Sequence, residues 1–559
     1  ASGSGRPETA PGSGWCSGRE PKGKPRSRQP AAEKPAAILT QNRPASHGLV
    51  LEPLPAGKFS VPDQCAGLSV AIDWHLLERE LRRHLPSRAI VVAAQELLAY
   101  DCDGLTLQRH QPPLVVLPES AEQVAAAVRL CHQLGVPFVA RGSGTGLSGG
   151  AVAEQPALVI ATSRMRRILA IDLENHTITV EPGVINSWVT RAVAGDGFYY
   201  APDPSSQVAC SIGGNVAENS GGVHCLKYGV TNNHVLGLEV VLPDGSLTRL
   251  GGALAEMPEL DLRGVFIGSE GTLGIATAVT LRLLRAPQSV AVLLADFSSM
   301  EAAGDAVRQV TAAGVQPAGM EMMDRLCLEA VNDSLGLEDY PRDAAAVLLI
   351  ELDGQEREVN AAIALAGRLC REAGARQVRE ARDPEQCARF WKGRKNAITA
   401  LGRRYPSYYL QDGVVPRSQL PRVLAAIEQL SLEHGLPVAN VFHAGDGNLH
   451  PLVLYNPREE GVAKRVKELG AAILGLCIDV GGSISGEHGV GSDKRCYMEW
   501  MFSGDDLATM LLVRQAFDPG GLANPGKLFP TPRSCSESAR RVHVLRAEGI
   551  DLPKEALVF

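Results

Sequence analysis

His443 and His450 flank a Gly445-Asp446-Gly447 turn in the stretch Val441-Phe442-His443-Ala444-Gly445-Asp446-Gly447-Asn448-Leu449-His450. A turn of this kind can bring two imidazoles to one point. Downstream, Gly486-Glu487-His488-Gly489 sets a carboxylate beside an imidazole in a second glycine-rich turn. Two neutral imidazoles and one carboxylate are a common set for a catalytic divalent ion, zinc or one like it, with a position left open. His488 is then free to act as a base. Asp446 is read as shaping the turn rather than as a ligand. Taken alone, such a centre fits a metal-dependent hydrolase as well as any other polarising task.

Three glycine-rich loops lie upstream. The first is Arg141-Gly142-Ser143-Gly144-Thr145-Gly146-Leu147-Ser148-Gly149-Gly150. Within it Gly144, Gly146 and Gly149 match G-x-G-x-x-G, and Asp172 stands at a strand end at about the distance a dinucleotide fold requires. That reading fails on mechanism, because the dinucleotide fold needs a helix opening at the third glycine. Here Gly150, Glu154, Gln155 and Pro156 interrupt the run, and a strand follows directly. The loop still offers an anion nest of successive backbone N–H groups, with hydroxyls from Ser143, Thr145 and Ser148. The second region is Pro202-Asp203-Pro204-Ser205-Ser206, followed by Gly213-Gly214-Asn215 and Asn219-Ser220-Gly221-Gly222. The third is Gly268-Ser269-Glu270-Gly271-Thr272-Leu273-Gly274-Ile275. Glycine lets backbone approach a ligand closely, so three such loops imply a long, flat, phosphate-bearing ligand.

The elements that must position these residues change character along the chain. The spacing predicts a helix over 73–85, with Leu76, Leu77, Leu81 and Leu85 on one face. A strand over 114–118 follows, then a helix opened by Ser120 with Gln123 three residues on and closed by Gly135. Strands are expected over 136–140, 158–161, 168–172, 177–180, 235–242 and 273–283, with a hairpin at Pro243-Asp244-Gly245-Ser246. Past Pro287, strands at 290–297, 345–352 and Val441-Phe442 alternate with helices at 301–313, 355–373 and 422–434, an α+β pattern. The glycine- and proline-rich tail 518–530 is expected to pack back on the first domain.

A chain of 559 residues exceeds one core, so two or three domains are expected. The net charge of −7 and the lack of a basic stripe argue against nucleic acid. No apolar run reaches the ~18 residues of a transmembrane segment, which leaves peripheral attachment through a partner open. The 12 cysteines form no C-x-x-C pair, which suits reduced thiols and a cytoplasmic protein. Residues 1–66 are rich in Gly, Pro, Ser, Lys and Arg and read as a disordered extension. Glu8, Glu20 and Glu33 count against a transit peptide.

Taken together, the loops and five further stretches resemble the vanillyl-alcohol oxidase, or PCMH-type, flavoproteins. Those stretches are Phe390 through Ala397, Tyr408 through Pro416, Phe442 through His450, Ser483 through Gly491, and Asn524-Pro525-Gly526-Lys527. Within the family the chain is most similar to the 2-hydroxy-acid dehydrogenases: the flavoprotein subunit of glycolate oxidase and the D-lactate and D-2-hydroxyglutarate enzymes. The resemblance implies an α+β fold. A PCMH-type FAD-binding domain of two α/β subdomains would span 67–287. A substrate (cap) domain with an antiparallel sheet would span 288–500, a segment at 501–530 would return to the FAD domain, and an extension would cover 531–559.

The resemblance also implies roles. FAD would be held by Arg141, Gly142, Ser143, Gly144, Thr145, Gly146 and Ser148 of the first loop. Pro202, Asp203, Ser206, Gly213, Gly214, Asn219 and Gly222 would serve from the second, Glu270, Gly274 and Ile275 from the third, and Asn524 from the tail. Thr145 stands where some members carry a histidine bonded to the flavin, so FAD would be non-covalent. A divalent metal, zinc or manganese, would sit on His443, His450 and Glu487. Arg394 would hold the substrate carboxylate, and His488 would take the hydroxyl proton. The hydroxyglutarate enzymes carry a lysine shortly before the Asp-x-x-x-Pro element, but this chain reads Tyr409-Leu410-Gln411-Asp412-Gly413-Val414-Val415-Pro416. That departure favours glycolate or D-lactate. Electrons would pass to a non-nicotinamide acceptor, such as a companion flavoprotein or iron–sulfur subunit, since no cysteine cluster for an iron–sulfur centre is present.

Overall fold

Strand Ser289–Phe297 is apolar on both sides, and the reason is visible in its two neighbours' faces. Ala291, Leu293, Ala295 and Phe297 share one core with Leu348, Ile350 and Leu352, while Val292 and Leu294 share another with Val347 and Leu349. A strand buried on both faces reads as a continuous apolar run rather than an alternating one. It belongs to a nine-stranded antiparallel sheet. Helices Met300–Ala312, Glu356–Glu372, Leu420–His434 and Val462–Asp479 contribute to the first core. Helices Arg325–Leu335 and Pro384–Arg404 contribute to the second. The structure is a computed structural model that describes residues 72–253, 260–336 and 339–530. The N-terminal extension expected over 1–66 and the extension over 531–559 lie outside the described residues.

A four-stranded and a five-stranded sheet precede this one, besides a short pairing of Leu284–Arg285 with Phe198–Tyr199. In the first, Leu114–Val116, Leu158–Ala161 and Phe138–Arg141 run parallel, with Ile90–Val91 antiparallel at one edge. Helix Ala121–Leu134 covers it, burying Val124, Ala127, Val128 and Cys131; Ser120 Oγ accepts from Gln123 N–H and Gly135 closes the end at φ 64°. Gln123 reaches back to Glu119 N–H rather than to the cap residue. Between the parallel strands Phe138–Arg141 and Leu158–Ala161, residues 142–157 carry no helix. The dinucleotide reading therefore fails where the sequence said it would.

The second sheet is antiparallel, in the order Ile168–Asp172, Thr177–Val180, Ile275–Arg282, Val235–Val241, Leu247–Gly251. The Pro243-Asp244-Gly245-Ser246 turn is the expected hairpin, closed by Leu242 N–H to Ser246 O at 2.9 Å. Two expectations change. Gly213 and Gly214 lie not in a loop but in helix Ile212–Glu218. Two adjacent glycines disfavour helix, but here the missing side chain serves packing, since a Cβ on Gly213 would stand 2.6 Å from Pro182 Cβ. The helix expected over 73–85 is shorter, Trp74–Leu81 with Asp73 as its cap.

The tail returns to the first sheet. Phe138 N–H donates to Leu522 O, and Asn524 N–H donates to Phe138 O at 2.7 Å. Asn524 Nδ2 then bridges Gly150 O and Glu270 O, and the fully buried Lys527 Nζ donates to Val152 O. Among the described residues no helix is long and apolar enough to cross a membrane. Eight described cysteines are free, while Cys496 is disulfide-bonded; there is no disulfide framework among the described residues.

Candidate active site

Strands Gly319–Asp324 and Val438–His443 pair antiparallel, with Glu321 directly opposite His443. Their neighbours Met320, Met322 and Phe442 belong to one core, while Met323 and Val441 belong to the other. Alternation thus turns Glu321 and His443 to the face that carries helix Pro384–Arg404. On that face Arg394 Nε donates to Glu321 Oε2 at 2.7 Å, while His443 Nδ1 meets Glu321 Oε1 at 2.6 Å. One wholly buried carboxylate therefore orients both a guanidinium and an imidazole. Arg394 spends Nε and one terminal nitrogen on it, leaving Nη1.

The other ring nitrogen of His443 lies 3.2 Å from Glu487 Oε1, and His450 Nε2 lies 3.0 Å from the same oxygen. The ligand atoms of His443, His450 and Glu487 fall within 4.8 Å of one another. Burial opposes the charge on His443, but Glu321 and Glu487 outweigh it and raise its pKa well above the ordinary value. Burial likewise opposes the Glu487 charge, but the two histidines draw its pKa well down. His443 held through Nδ1 by a carboxylate is the usual setting of a metal-ligating histidine. The donor set fits a divalent ion. Asp446 serves the turn, accepting from Asn448 N–H at 3.0 Å.

His488 stacks on His450 with ring centroids 4.8 Å apart. Burial lowers its pKa to about 4 despite Asp412 nearby, so it is unprotonated at neutral pH. Asp412, fully buried, organises the whole turn. Its Oδ2 accepts from the N–H groups of Gly486 (3.0 Å), Glu487 (3.2 Å) and His488 (2.9 Å), and from Ser485 Oγ (2.7 Å). Lys494 Nζ adds its charge at 3.3 Å. Asp412, His450 and His488 form a second possible ligand trio. Asp412 is already committed to these donors, which favours the trio of His443, His450 and Glu487.

A cavity of about 1460 Å³, including its open side, runs from this cluster between the glycine loops. Arg141, Gly142, Ser143, Gly144, Thr145 and Gly146 line it from the first loop, Ser206, Gly213 and Gly214 from the second region, and Glu270, Gly274 and Ile275 from the third. Arg394, His450, Glu487 and His488 line one end. Six residues expected at the cofactor stand behind this lining. Ser148 O accepts from Ser492 and Asp493 N–H, and Pro202 O accepts from Asn186. Asp203 holds His224, Gly222 packs on Asp203, Asn219 ends a helix, and Asn524 ties two loops together. Arg141, though in the lining, donates to Cys102 O at 2.7 Å and Ala151 O at 3.2 Å.

Two observations test whether a long polar cofactor suits this cavity. Ser211 Oγ, Ser269 Oγ and Glu218 Oε2 all belong to lining residues, and all are buried without a hydrogen-bond partner. Such atoms cost about 1–3 kcal/mol each unless something satisfies them. A Cβ on Gly146 or Gly214 would meet no protein atom closer than 3.8 Å or 3.5 Å, so protein packing does not demand glycine there. Both features fit FAD. Glu321 and Glu218 escaped sequence reasoning, and Asp412 was seen in a motif without its role; the one signal for Glu321 was an acid within a strand otherwise rich in methionine.

Comparison with known proteins gives a consistent picture. Residues 112–251 match the "FAD binding domain" family and residues 286–528 match "FAD linked oxidases, C-terminal domain". The chain is 50% identical over 464 residues to the glycolate oxidase subunit GlcD of Escherichia coli (strain K12), covering 83% of this chain and 93% of that protein. It is 33% identical over 428 residues to the D-lactate dehydrogenase of Anaerostipes hadrus, covering 75% and 90%. Among solved structures it shares the fold of p-cresol methylhydroxylase, with a TM-score of 0.69 at 16% identity, covering 81% and 96%.

Proposed function

The chain belongs to the FAD-linked oxidases, and from that premise we propose that it oxidises glycolate or D-lactate to the 2-oxo acid. One observation carries the reading. Arg394, His450, Glu487 and His488 line one end of the same cavity that the glycine loops line. Membership of an FAD-binding family sets aside the hydrolase that the histidines alone left open.

FAD, bound without a covalent link to Thr145, supplies the two-electron acceptor for the α-hydrogen. His443, His450 and Glu487 would hold a divalent ion, zinc or manganese, which would supply a Lewis acid for the substrate hydroxyl. The chain's own side chains do the rest. Arg394 offers its remaining terminal nitrogen to the carboxylate, and Glu321 fixes the direction of that offer. His488, unprotonated at neutral pH, accepts the hydroxyl proton as the carbonyl forms. The imidazolium that results is steadied by Asp412, whose carboxylate lies within 4.8 Å of a His488 ring nitrogen.

The walls favour a small monocarboxylate. Ile398, Leu410 and Val441 line the cavity together with Arg394. The lining's other arginine, Arg141, is turned toward the carbonyl oxygens of Cys102 and Ala151. Reducing equivalents pass to a companion flavoprotein or iron–sulfur subunit, in keeping with relatives named as subunits. Such a partner would also provide any peripheral attachment of a cytoplasmic chain to the membrane. The test is anaerobic mixing with glycolate, D-lactate and D-2-hydroxyglutarate while flavin absorbance is followed. Fast bleaching is expected with one of the first two acids. Fastest bleaching by the dicarboxylate would move the assignment to the hydroxyglutarate type, and bleaching by none of them, with dithionite still effective, would end the hydroxy-acid reading.

A further inference from the structure

Glu218 and Glu270 are two acids of the cavity lining that the mechanism above does not use. Glu270 is held at φ 51°, a conformation uncommon outside glycine. That conformation places its carboxylate to accept from Val490 N–H and Gly491 N–H, both at 2.7 Å. Glu218 has no such donors: its Oε2 is buried without a hydrogen-bond partner. The two side chains flank one point. A Cβ on Gly489 would lie 2.8 Å from Glu270 Oε1 and would also press on Glu218 Oε2. Glu218 Oε1 lies on the side of Gly150, 2.8 Å from the Cβ position there.

Two adjacent buried carboxylates do not both ionise. Burial raises the Glu270 pKa to about 7, but its two backbone N–H bonds oppose that rise, so of the pair Glu218, without donors, is the one that keeps the proton. Asp103 adds a third acid near Gly146, while Lys494 and Lys527 oppose the group. Both ammonium groups are committed elsewhere, Lys494 to Asp412 and Lys527 to Val152 O. Burial, reinforced by Glu270 and Asp103, raises the Glu218 pKa well above the ordinary value, in line with the geometry. A neutral acid needs an acceptor for its O–H: Glu218 Oε2 is turned toward Glu270, while Oε1 is turned toward Gly146 and Gly150 of the cavity lining and so toward whatever fills the cavity. Gly489 is next to His488, so Glu218 stands at the end of the cavity where the chemistry is placed.

We propose that Glu218 is a neutral carboxylic acid that donates its O–H to the bound flavin and favours the reduced cofactor. A donor aimed where negative charge develops stabilises that charge. The inference rests on FAD occupying the cavity and not on the substrate or the metal.

The test uses the FAD-loaded protein reduced with dithionite, so it does not depend on any hydroxy acid. In the reduced-minus-oxidised infrared difference spectrum, a neutral-carboxyl carbonyl band is expected to shift on reduction, to move in heavy water, and to be absent in Glu218→Gln. Glu218→Ala is expected to lower the flavin reduction potential by about 30 mV, a tenfold change for a two-electron couple. Glu218→Gln, which keeps an N–H donor, restores most of that shift. A merely structural acid would alter thermal stability without moving the potential. If the alanine variant loses FAD, the infrared comparison of wild type with Glu218→Gln decides. Identical difference spectra from those two proteins, with the flavin fully reduced in both, would overturn the proposal.

Discussion

Glu321 carries two loads at once, a guanidinium on one oxygen and an imidazole on the other. It is wholly buried, and burial alone would raise its pKa, yet His443 and Arg394 hold the pKa below the ordinary value. Removing its charge disturbs both partners. Glu321→Gln is expected to weaken divalent-ion affinity by roughly 10–100-fold, the usual effect of losing a carboxylate behind a ligating histidine. It should also raise KM for the hydroxy acid through Arg394. Calorimetric ion titration and steady-state kinetics check the pair, and unchanged ion affinity would remove Glu321 from the metal site. His443, His450, Glu487 and His488 were legible by type and spacing, because two short turns concentrate them. Glu321 was not, because it meets His443 only through strand pairing between segments far apart in sequence. Asp412 was noticed as part of a motif, but its grip on the 485–488 backbone exists only in three dimensions.

At the scale of elements, the loop at Asp203, the turn at His224 and strand Ala346–Gly354 are tied by one ring. His224 Nδ1 meets Asp203 Oδ2 at 2.8 Å, and Nε2 meets Glu351 Oε1 at 3.0 Å. Trp391 Nε1 donates to the other Glu351 oxygen at 2.5 Å. Both ring nitrogens face carboxylates, so both donate. Burial opposes the imidazolium, but Asp203 and Glu351 outweigh it and raise the His224 pKa well above the ordinary value. A pKa raised on folding contributes stability that is fully present below the unfolded value of about 6.5 and fades as pH rises through the folded value. His224→Gln should therefore cost more stability at pH 6 than at alkaline pH, by about 1.4 kcal/mol for each tenfold gain in the ring's proton affinity on folding. Denaturant titrations across that range check the sign, and a pH-independent difference would contradict it. Most elements were legible, including the Ser120 cap, the Gly135 stop and the 243–246 hairpin. Helix Ile212–Glu218 was not, because its paired glycines read as a loop until their packing on Pro182 is seen.

Across the whole molecule, two smaller sheets carry the glycine loops, and the nine-stranded sheet, with the helix and turn packed on it, positions His443, His450, His488 and Arg394. The cavity lies where these parts meet. Glu270 binds the 490–491 backbone, and Asn524 brings the tail onto Gly150 and Glu270, so the loops and the turn that bears Glu487 and His488 are positioned together. The layered α+β order was legible from the change of pattern past Pro287. The convergence was not, because periodicity says which face is apolar and nothing about which faces meet. A metal on His443, His450 and Glu487 would polarise a hydroxy acid opposite FAD. That role is tested most directly by stripping divalent ions from the FAD-loaded protein and mixing it anaerobically with glycolate or D-lactate. Retained flavin absorbance, loss of bleaching, and recovery on adding zinc or manganese are the predicted results. Bleaching at the same rate with and without the ion would contradict the account.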